Sequence, residues 1–92
     1  MTARKQIALV VATGDRARVR EALRAAVGLA LRGDAVRVVL GPEARALANS
    51  DEPAVARAYA SFGQLGILVV DAASPEALPI AVRNADACEV WT

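Results

Sequence analysis

With 92 residues, the chain is long enough for one small domain with a single core. A core this small favours association with another subunit, which buries further apolar surface. Hydrophobic residues make up 55% of the chain but aromatic residues only 3%, so aliphatic side chains must form the core, and intrinsic disorder is excluded. The formal net charge of +1 excludes the strongly basic surface of a dedicated nucleic-acid binder, so we expect no nucleic-acid partner.

The first predicted unit is a strand followed by an amphipathic helix. Residues 6–12 (QIALVVA) form a continuous apolar run rich in branched side chains, which is typical of a strand covered on both faces of a parallel sheet. Thr13 or Asp15 is expected to cap the helix that begins next, and Gly33 is the expected left-handed residue at its end. Apolar residues between them recur at spacings of three and four, which indicates one buried helix face. These residues are Val19, Ala22, Leu23, Ala26, Val27, Ala30 and Leu31.

The alternation of strand and helix continues along the rest of the chain. The remaining predicted elements are a strand at 36–40, a short helix from Pro42 to about Ala48, a helix that opens at Pro53 and ends near Gly63 and Gly66, a strand at 67–71, a helix start at Ser74-Pro75-Glu76 and a strand at 87–91. Pro79 is expected to shorten or kink the last helix. We therefore predict a single α/β domain over residues 1–92, with three layers and a mainly parallel four-stranded sheet flanked by helices.

Arginine residues interrupt the apolar pattern at two places. Arg16, Arg20 and Arg24 recur at spacings of four along the first helix. An acidic partner or RNA would explain this stripe, but a solvent-exposed helix face explains it without a partner. Arg37 lies within the second strand, which predicts that this strand is at the sheet's edge, or that Arg37 pairs with an acid such as Asp34 or contacts another subunit.

A candidate ligand pocket lies beyond the carboxyl ends of the strands, where parallel sheets usually bind ligands. Its residues are Thr13, Gly14, Asp15, Arg16, Asp71 and Ser74. Backbone amides at the start of the first helix favour a small anionic ligand, whereas helix capping explains the same residues without one. A lone glycine matches neither GxGxxG nor GxxxxGK[ST], so a Walker-type nucleotide site is excluded. Ser74 has no histidine to activate it and is interpreted as a helix cap.

Cys88 is the only cysteine, and histidine is absent. An internal disulfide is therefore excluded, and we expect no metal site and no cofactor. Cys88 is either a reactive thiol, activated by a basic group or a helix amino terminus, or a small buried apolar side chain. The apolar runs are too short to span a membrane and no signal peptide precedes Ile7, so we expect a cytoplasmic protein without a membrane segment.

Four segments of the chain resemble the DsrE/DsrF-like proteins, small α/β domains of the sulfur-relay group: IALVVATGD, RVREALRAAVGLALRGD, AVRVVLGPEARAL and NADACEVWT. The resemblance implies a parallel-sheet subunit of a homo- or hetero-oligomer, and in some members a persulfide on a cysteine just after the third strand. This chain has Asp71-Ala72-Ala73-Ser74 at that place, and it is shorter after the strand than the family usually is. Cys88 does not match the family's cysteine position.

The expected function is that of a noncatalytic DsrE-like subunit, which binds or assembles with copies of itself or related subunits as a partner in a sulfur-relay or redox complex. In this interpretation Asp71 marks the absence of a thiol site and is not a catalytic acid. Two alternatives stay open. One is a sulfurtransferase-like enzyme that uses Cys88 or the strand-end pocket, and the other is a regulatory module that binds a small anion.

Overall fold

Strands and helices alternate along the chain in a computed structural model that describes residues 5–48, 53–72 and 78–92. The elements are β1 (Gln6–Val11), α1 (Arg16–Arg32), β2 (Ala35–Leu40), α2 (Pro42–Ala48), α3 (Pro53–Leu65), β3 (Leu68–Asp71), α4 (Leu78–Ala81) and β4 (Ala87–Trp91). They match the predicted elements in order and type. The predicted helix start at Ser74 lies outside the described residues.

The four strands form one parallel sheet in the order β3-β2-β1-β4. This confirms the predicted α/β class and the parallel four-stranded sheet. The connections from β1 to β2 and from β2 to β3 advance in one direction, whereas the connection from β3 returns past β1 to β4. Because such crossovers are right-handed, the first two place their helices on one face of the sheet, and the third places α4 on the other.

The main core lies between the sheet and the helices α1, α2 and α3. It contains side chains from all of these elements: Leu9, Val11, Val19, Ala22, Leu23, Ala26, Val36, Val38, Leu40, Ala44, Phe62 and Ile67. Helix α1 begins after Asp15 and ends at Gly33, whose φ of 109° is the left-handed conformation predicted for it. Val19, Ala22, Leu23 and Ala26 of α1 are buried and its arginine stripe is exposed, as the periodicity predicts, but the prediction for Leu31 is wrong, because Leu31 is 71% exposed near the end of the helix.

Glycine and proline residues determine where α3 ends and how long α4 is. Helix α3 continues through Gly63 and ends at Leu65, so Gly66, with a φ of 71°, makes the turn into β3. Helix α4 contains Pro79 and spans only one turn, as expected from that proline. No helix among the described residues combines the length and hydrophobicity that crossing a lipid bilayer requires.

Among the residues that the structure describes, the opposite face of the sheet carries a thinner layer of side chains. Val10, Val39 and Ala72 are buried there, under Leu78 and Val82. By strand alternation and register, the same face also carries Leu68, Arg37, Cys88 and Val90, and we call it the open face. Of its residues, Leu68 is 65% exposed and Val90 60% exposed.

Arg37 lies on a central strand, because β2 is hydrogen-bonded to β1 and to β3. The expectation that its strand is at the sheet's edge is therefore wrong. Its guanidinium Nη1 donates a hydrogen bond to the backbone carbonyl of Arg83, 3.0 Å away, on the open face. The short segment after α4 thus supplies an acceptor that makes a charged residue acceptable inside the sheet.

Candidate functional site

The carboxyl ends of all four strands meet at one edge of the sheet. Backbone hydrogen bonds hold the residues that follow the strands level with one another: Ala12 N donates to Trp91 O (2.8 Å), Gly41 N to Val11 O (3.0 Å) and Ala72 N to Leu40 O (2.9 Å). The loops after β1, β2 and β3 therefore start side by side. This is the edge at which α/β sheets usually bind ligands.

The loop after β1 is organised as a helix cap. The Asp15 backbone N–H donates to Thr13 Oγ1, and Asp15 Oδ1 in turn accepts from the Arg18 backbone N–H, each over 3.1 Å. The Asp15 carboxylate therefore stands at the positive end of α1, where an anion would otherwise bind. Gly14 lies against α2, since a Cβ atom there would come within 3.1 Å of the Glu43 Cβ. Arg16 is exposed.

Replacing Asp15 by alanine is expected to lower the free energy of unfolding by about 1 kcal/mol, because the Arg18 N–H loses its acceptor and α1 loses its amino-terminal negative charge. Chemical denaturation measures this change. Asp15→Ser is the matched control, since a serine hydroxyl caps almost as well, and it should retain most of the stability. An equal loss in both variants would contradict the capping role.

Asp71 ends β3 and points toward the helical face of the sheet. Its Oδ1 lies 3.4 Å from Arg45 Nε, and its side chain is 59% exposed. Arg45, on α2, also donates a hydrogen bond to the Tyr59 hydroxyl of α3 and stacks against that ring. Asp71 therefore forms an ion pair with Arg45, and an exposed pair of this kind contributes between about 0 and 1 kcal/mol to the free energy of unfolding.

The hydrogen bond to Tyr59 is the main cause that raises the pKa of Arg45 above its ordinary value, and the Asp71 carboxylate adds a smaller effect. When folding raises the pKa of a basic group, that group stabilises the folded state at every pH below its pKa in the unfolded chain. For arginine that value lies far above neutrality. The contribution of Arg45 is therefore constant through the neutral range, and these contacts do not form a pH switch.

A shallow depression of about 240 Å³ adjoins this ion pair. Its lining includes Leu40, Gly41, Pro42, Arg45 and Asp71. Of the predicted pocket residues, Asp71 is therefore part of this depression, whereas Thr13, Gly14, Asp15 and Arg16 form the cap of α1 beside it. Ser74 lies outside the described residues. Arg45 and Tyr59 were missed from the sequence because Tyr59 follows Arg45 by 14 positions on a different helix.

A second cluster lies where β1 and β4 are neighbours, the point at which the strand order reverses. The Arg18 guanidinium stacks on the Trp91 ring, 4.9 Å from its centroid, and Arg18 Nε donates to the Thr92 carbonyl over 3.3 Å. Ligands of doubly wound sheets bind in the crevice at such a reversal. Here the Arg18 and Trp91 side chains pack against each other at that point. No local motif joins residues so distant in the chain, so the sequence did not predict this cluster.

Cys88 lies apart from the strand-end residues. It is the second residue of the outer strand β4, it pairs in register with Ala8, and its side chain is exposed on the open face. The interpretation of Cys88 as a buried apolar side chain is therefore wrong. Ala8 and Val90, its neighbours across and along the strands, supply no base, and the carboxylate of Asp86, two positions before it, accepts a hydrogen bond from the Gln6 backbone N–H. Among the described residues, no three histidine, cysteine, aspartate or glutamate side chains are grouped so that they could hold a metal ion.

Comparisons with known proteins give no family for the chain: no family model matches the sequence, and neither the curated proteins nor the solved structures contain a significant match. The fold and the geometry of the described residues therefore carry the functional inference.

Proposed function

We propose that this protein is a noncatalytic, DsrE-like subunit of an oligomer, and that it binds other subunits through the open face of its sheet and the outer edge of β4. The observation that carries this proposal is the exposure of Leu68 (65%) and Val90 (60%) on one face of a parallel sheet. Parallel sheets are normally covered on both faces, so apolar side chains exposed on such a face favour a partner that covers them.

The edges of the sheet support the same proposal. Strand β4 is an outer strand, and four of its five residues are exposed. Outer strands in monomeric proteins are usually protected by lysine, proline or a bulge. Within residues 87–91 the only charge is that of Glu89, and there is no proline. An outer strand that is unprotected and partly apolar can pair with a strand of another chain, which favours assembly.

The separation of the chemically active groups supports the noncatalytic part of the proposal. Cys88 is near the start of β4, whereas Asp71 is at the end of β3 and is paired with Arg45. Nucleophilic catalysis needs a base within hydrogen-bonding distance of the nucleophile. Ala8 and Val90 beside Cys88 are apolar, and the Asp86 carboxylate two positions earlier accepts a hydrogen bond from the Gln6 N–H, which favours binding over catalysis.

Sedimentation velocity of the purified protein tests the proposal. We expect a dimer or larger assembly at micromolar concentrations, and we expect Leu68→Ser combined with Val90→Thr to shift the protein toward monomer. Leu31→Ser is the matched control, because Leu31 is 71% exposed but lies on α1, on the other side of the sheet. A wild-type protein that stays monomeric at about 100 μM would contradict the proposal, since a dimer with a Kd of about 1 μM would be largely formed at that concentration.

The resemblance to the sulfur-relay group leads us to propose a sulfur-relay or redox complex as the setting of this subunit. Incubation with a persulfide donor, followed by mass spectrometry, distinguishes this role from the enzymatic alternative. We expect no stable transfer of sulfur to Cys88. Rapid and stoichiometric transfer would support a sulfurtransferase-like enzyme instead.

A further inference from the structure

We infer that the partner in this assembly is a second copy of the chain, whose β4 pairs antiparallel with β4 about a two-fold axis at Val90. The two sheets then form one continuous eight-stranded sheet. This inference rests on the proposed function and names the partner and contact at the β4 edge; Leu68, on the opposite outer strand β3, lies outside this contact. It draws on three features of β4: the direction of its backbone groups, its order of side chains, and the charges beside it.

The backbone of β4 directs hydrogen-bonding groups to its outer side, where they can meet a new strand. The Trp91 carbonyl accepts from the Ala12 N–H of β1, so the carbonyl of Trp91 points inward. Because these groups alternate along a strand, Cys88 and Val90 direct their N–H and C=O groups to the outer side. No described residue forms a strand on that side. A second β4 running antiparallel satisfies these groups pairwise.

Among the registers centred on the three inner residues of β4, Cys88, Glu89 and Val90, the side chains select one. If the axis passes through Glu89, its carboxylate faces Glu89 of the partner subunit, and like charges directly opposite are destabilising. If it passes through Cys88, the apolar Val90 faces the carboxylate of the partner's Asp86. If it passes through Val90, the two exposed valines face each other on the open face. Only the third register pairs apolar with apolar side chains and avoids facing carboxylates.

The Val90 register also places opposite charges together. It sets Glu89 directly opposite the partner's Trp91, on the helical face of the sheet. Arg18 stacks on Trp91 with a distance of 4.9 Å to the ring centroid, so each Glu89 approaches the guanidinium of the partner's Arg18. Directly opposite side chains in antiparallel strands have Cβ atoms about 5 Å apart. The two-fold axis makes this ion pair twice.

The helices leave room for this pairing. Helix α1 packs over β1 and β2, with only its amino-terminal part near β4. Across the new contact the two β1 strands are three strand spacings apart, roughly 14 Å. Packed helices need only about 8–10 Å between their axes, so the two α1 helices do not clash.

A charge exchange tests the contact. Glu89→Arg should weaken dimerisation about tenfold, because two attractive pairs become repulsive. Arg18→Glu should do the same, and the double variant Glu89→Arg with Arg18→Glu should restore the affinity. Glu43→Arg, an equal change of charge on α2, should leave it unchanged. Sedimentation equilibrium measures the dissociation constants of the wild type and the four variants.

Disulfide formation tests the register independently of the charges. In the Val90 register, Cys88 lies opposite residue 92 of the partner subunit with Cα atoms about 5.5 Å apart, within disulfide range. Thr92→Cys should therefore give covalent dimers on mild oxidation. The two native Cys88 residues are four positions apart along the strands, roughly 14 Å, so wild type should not cross-link. Cys88→Ser combined with Thr92→Cys should not cross-link either.

The outcomes distinguish a failure of this inference from a failure of the proposed function. A dimer that the charge exchange weakens and restores, with cross-links only in Thr92→Cys, supports the inference. A dimer in which native Cys88 cross-links, or in which neither Glu89→Arg nor Thr92→Cys has the expected effect, overturns the inference and leaves the assembly function standing. A wild-type monomer overturns both.

Discussion

Replacing Leu23 by alanine is expected to lower the free energy of unfolding by about 2–5 kcal/mol. Leu23 is completely buried on the apolar face of α1 and packs in the core that contains Leu9, Val38 and Phe62. Removal of its side chain leaves a cavity that surrounding groups fill only in part. A domain of this size has a total stability of only about 5–15 kcal/mol, so the variant should unfold at a much lower urea concentration.

Leu31→Ala is the control for this prediction, because it makes the same chemical change on the same helix. Leu31 is 71% exposed, and the expected change is within about 0.5 kcal/mol. Both variants are compared with wild type at a protein concentration at which oligomers dissociate, since subunit binding adds to apparent stability. Equal losses at the two positions would contradict the orientation of α1.

Replacing Phe62 by alanine is expected to cost about 3–5 kcal/mol of unfolding free energy. Phe62 is the only phenylalanine of the chain and is almost completely buried, where it holds α3 against α1 and the sheet. Its ring also contacts Tyr59, with centroids 5.6 Å apart. Thermal unfolding and urea denaturation measure the loss, and proteolysis should cut α3 earlier than in wild type.

Tyr59→Phe provides the control for the Phe62 variant. It keeps the aromatic contact with Phe62 and removes only the hydroxyl that accepts from Arg45. We expect a loss of about 1 kcal/mol or less, the usual contribution of one partly exposed hydrogen bond. If Tyr59→Phe destabilised the protein as much as Phe62→Ala, the Arg45 contact and not the buried ring would be what holds α3.

The helices were predictable from local signals. Asp15, the spacing of the apolar residues and Gly33 define α1 at its start, along its length and at its end, and each acts within a few positions of the chain. The strand order was not predictable in this way. The strands share similar apolar runs, and their order depends on which way each connection crosses the sheet. The central position of β2, and with it the surroundings of Arg37, follows from these long-range crossings.

The candidate site was predicted only in part, because some of its contacts also join residues that are distant in the sequence. Asp71 was placed correctly at the end of its strand, since the strand pattern itself ends there. Its partner Arg45 is on a helix that precedes β3, and no spacing rule connects the two. The contact between Arg18 and Trp91 joins a helix start to a closing strand, which a local pattern cannot reveal.

The position of β4 beside β1 has a consequence for synthesis on the ribosome. Gln6 bonds to Asp86, 80 positions later, so β1 receives its second neighbour only after nearly the whole described chain has emerged. Until then one edge of an almost wholly buried strand has no partner. Contacts this distant in sequence slow folding, and unpaired strand edges promote aggregation. We therefore expect the sheet to close late, only after β4 has emerged.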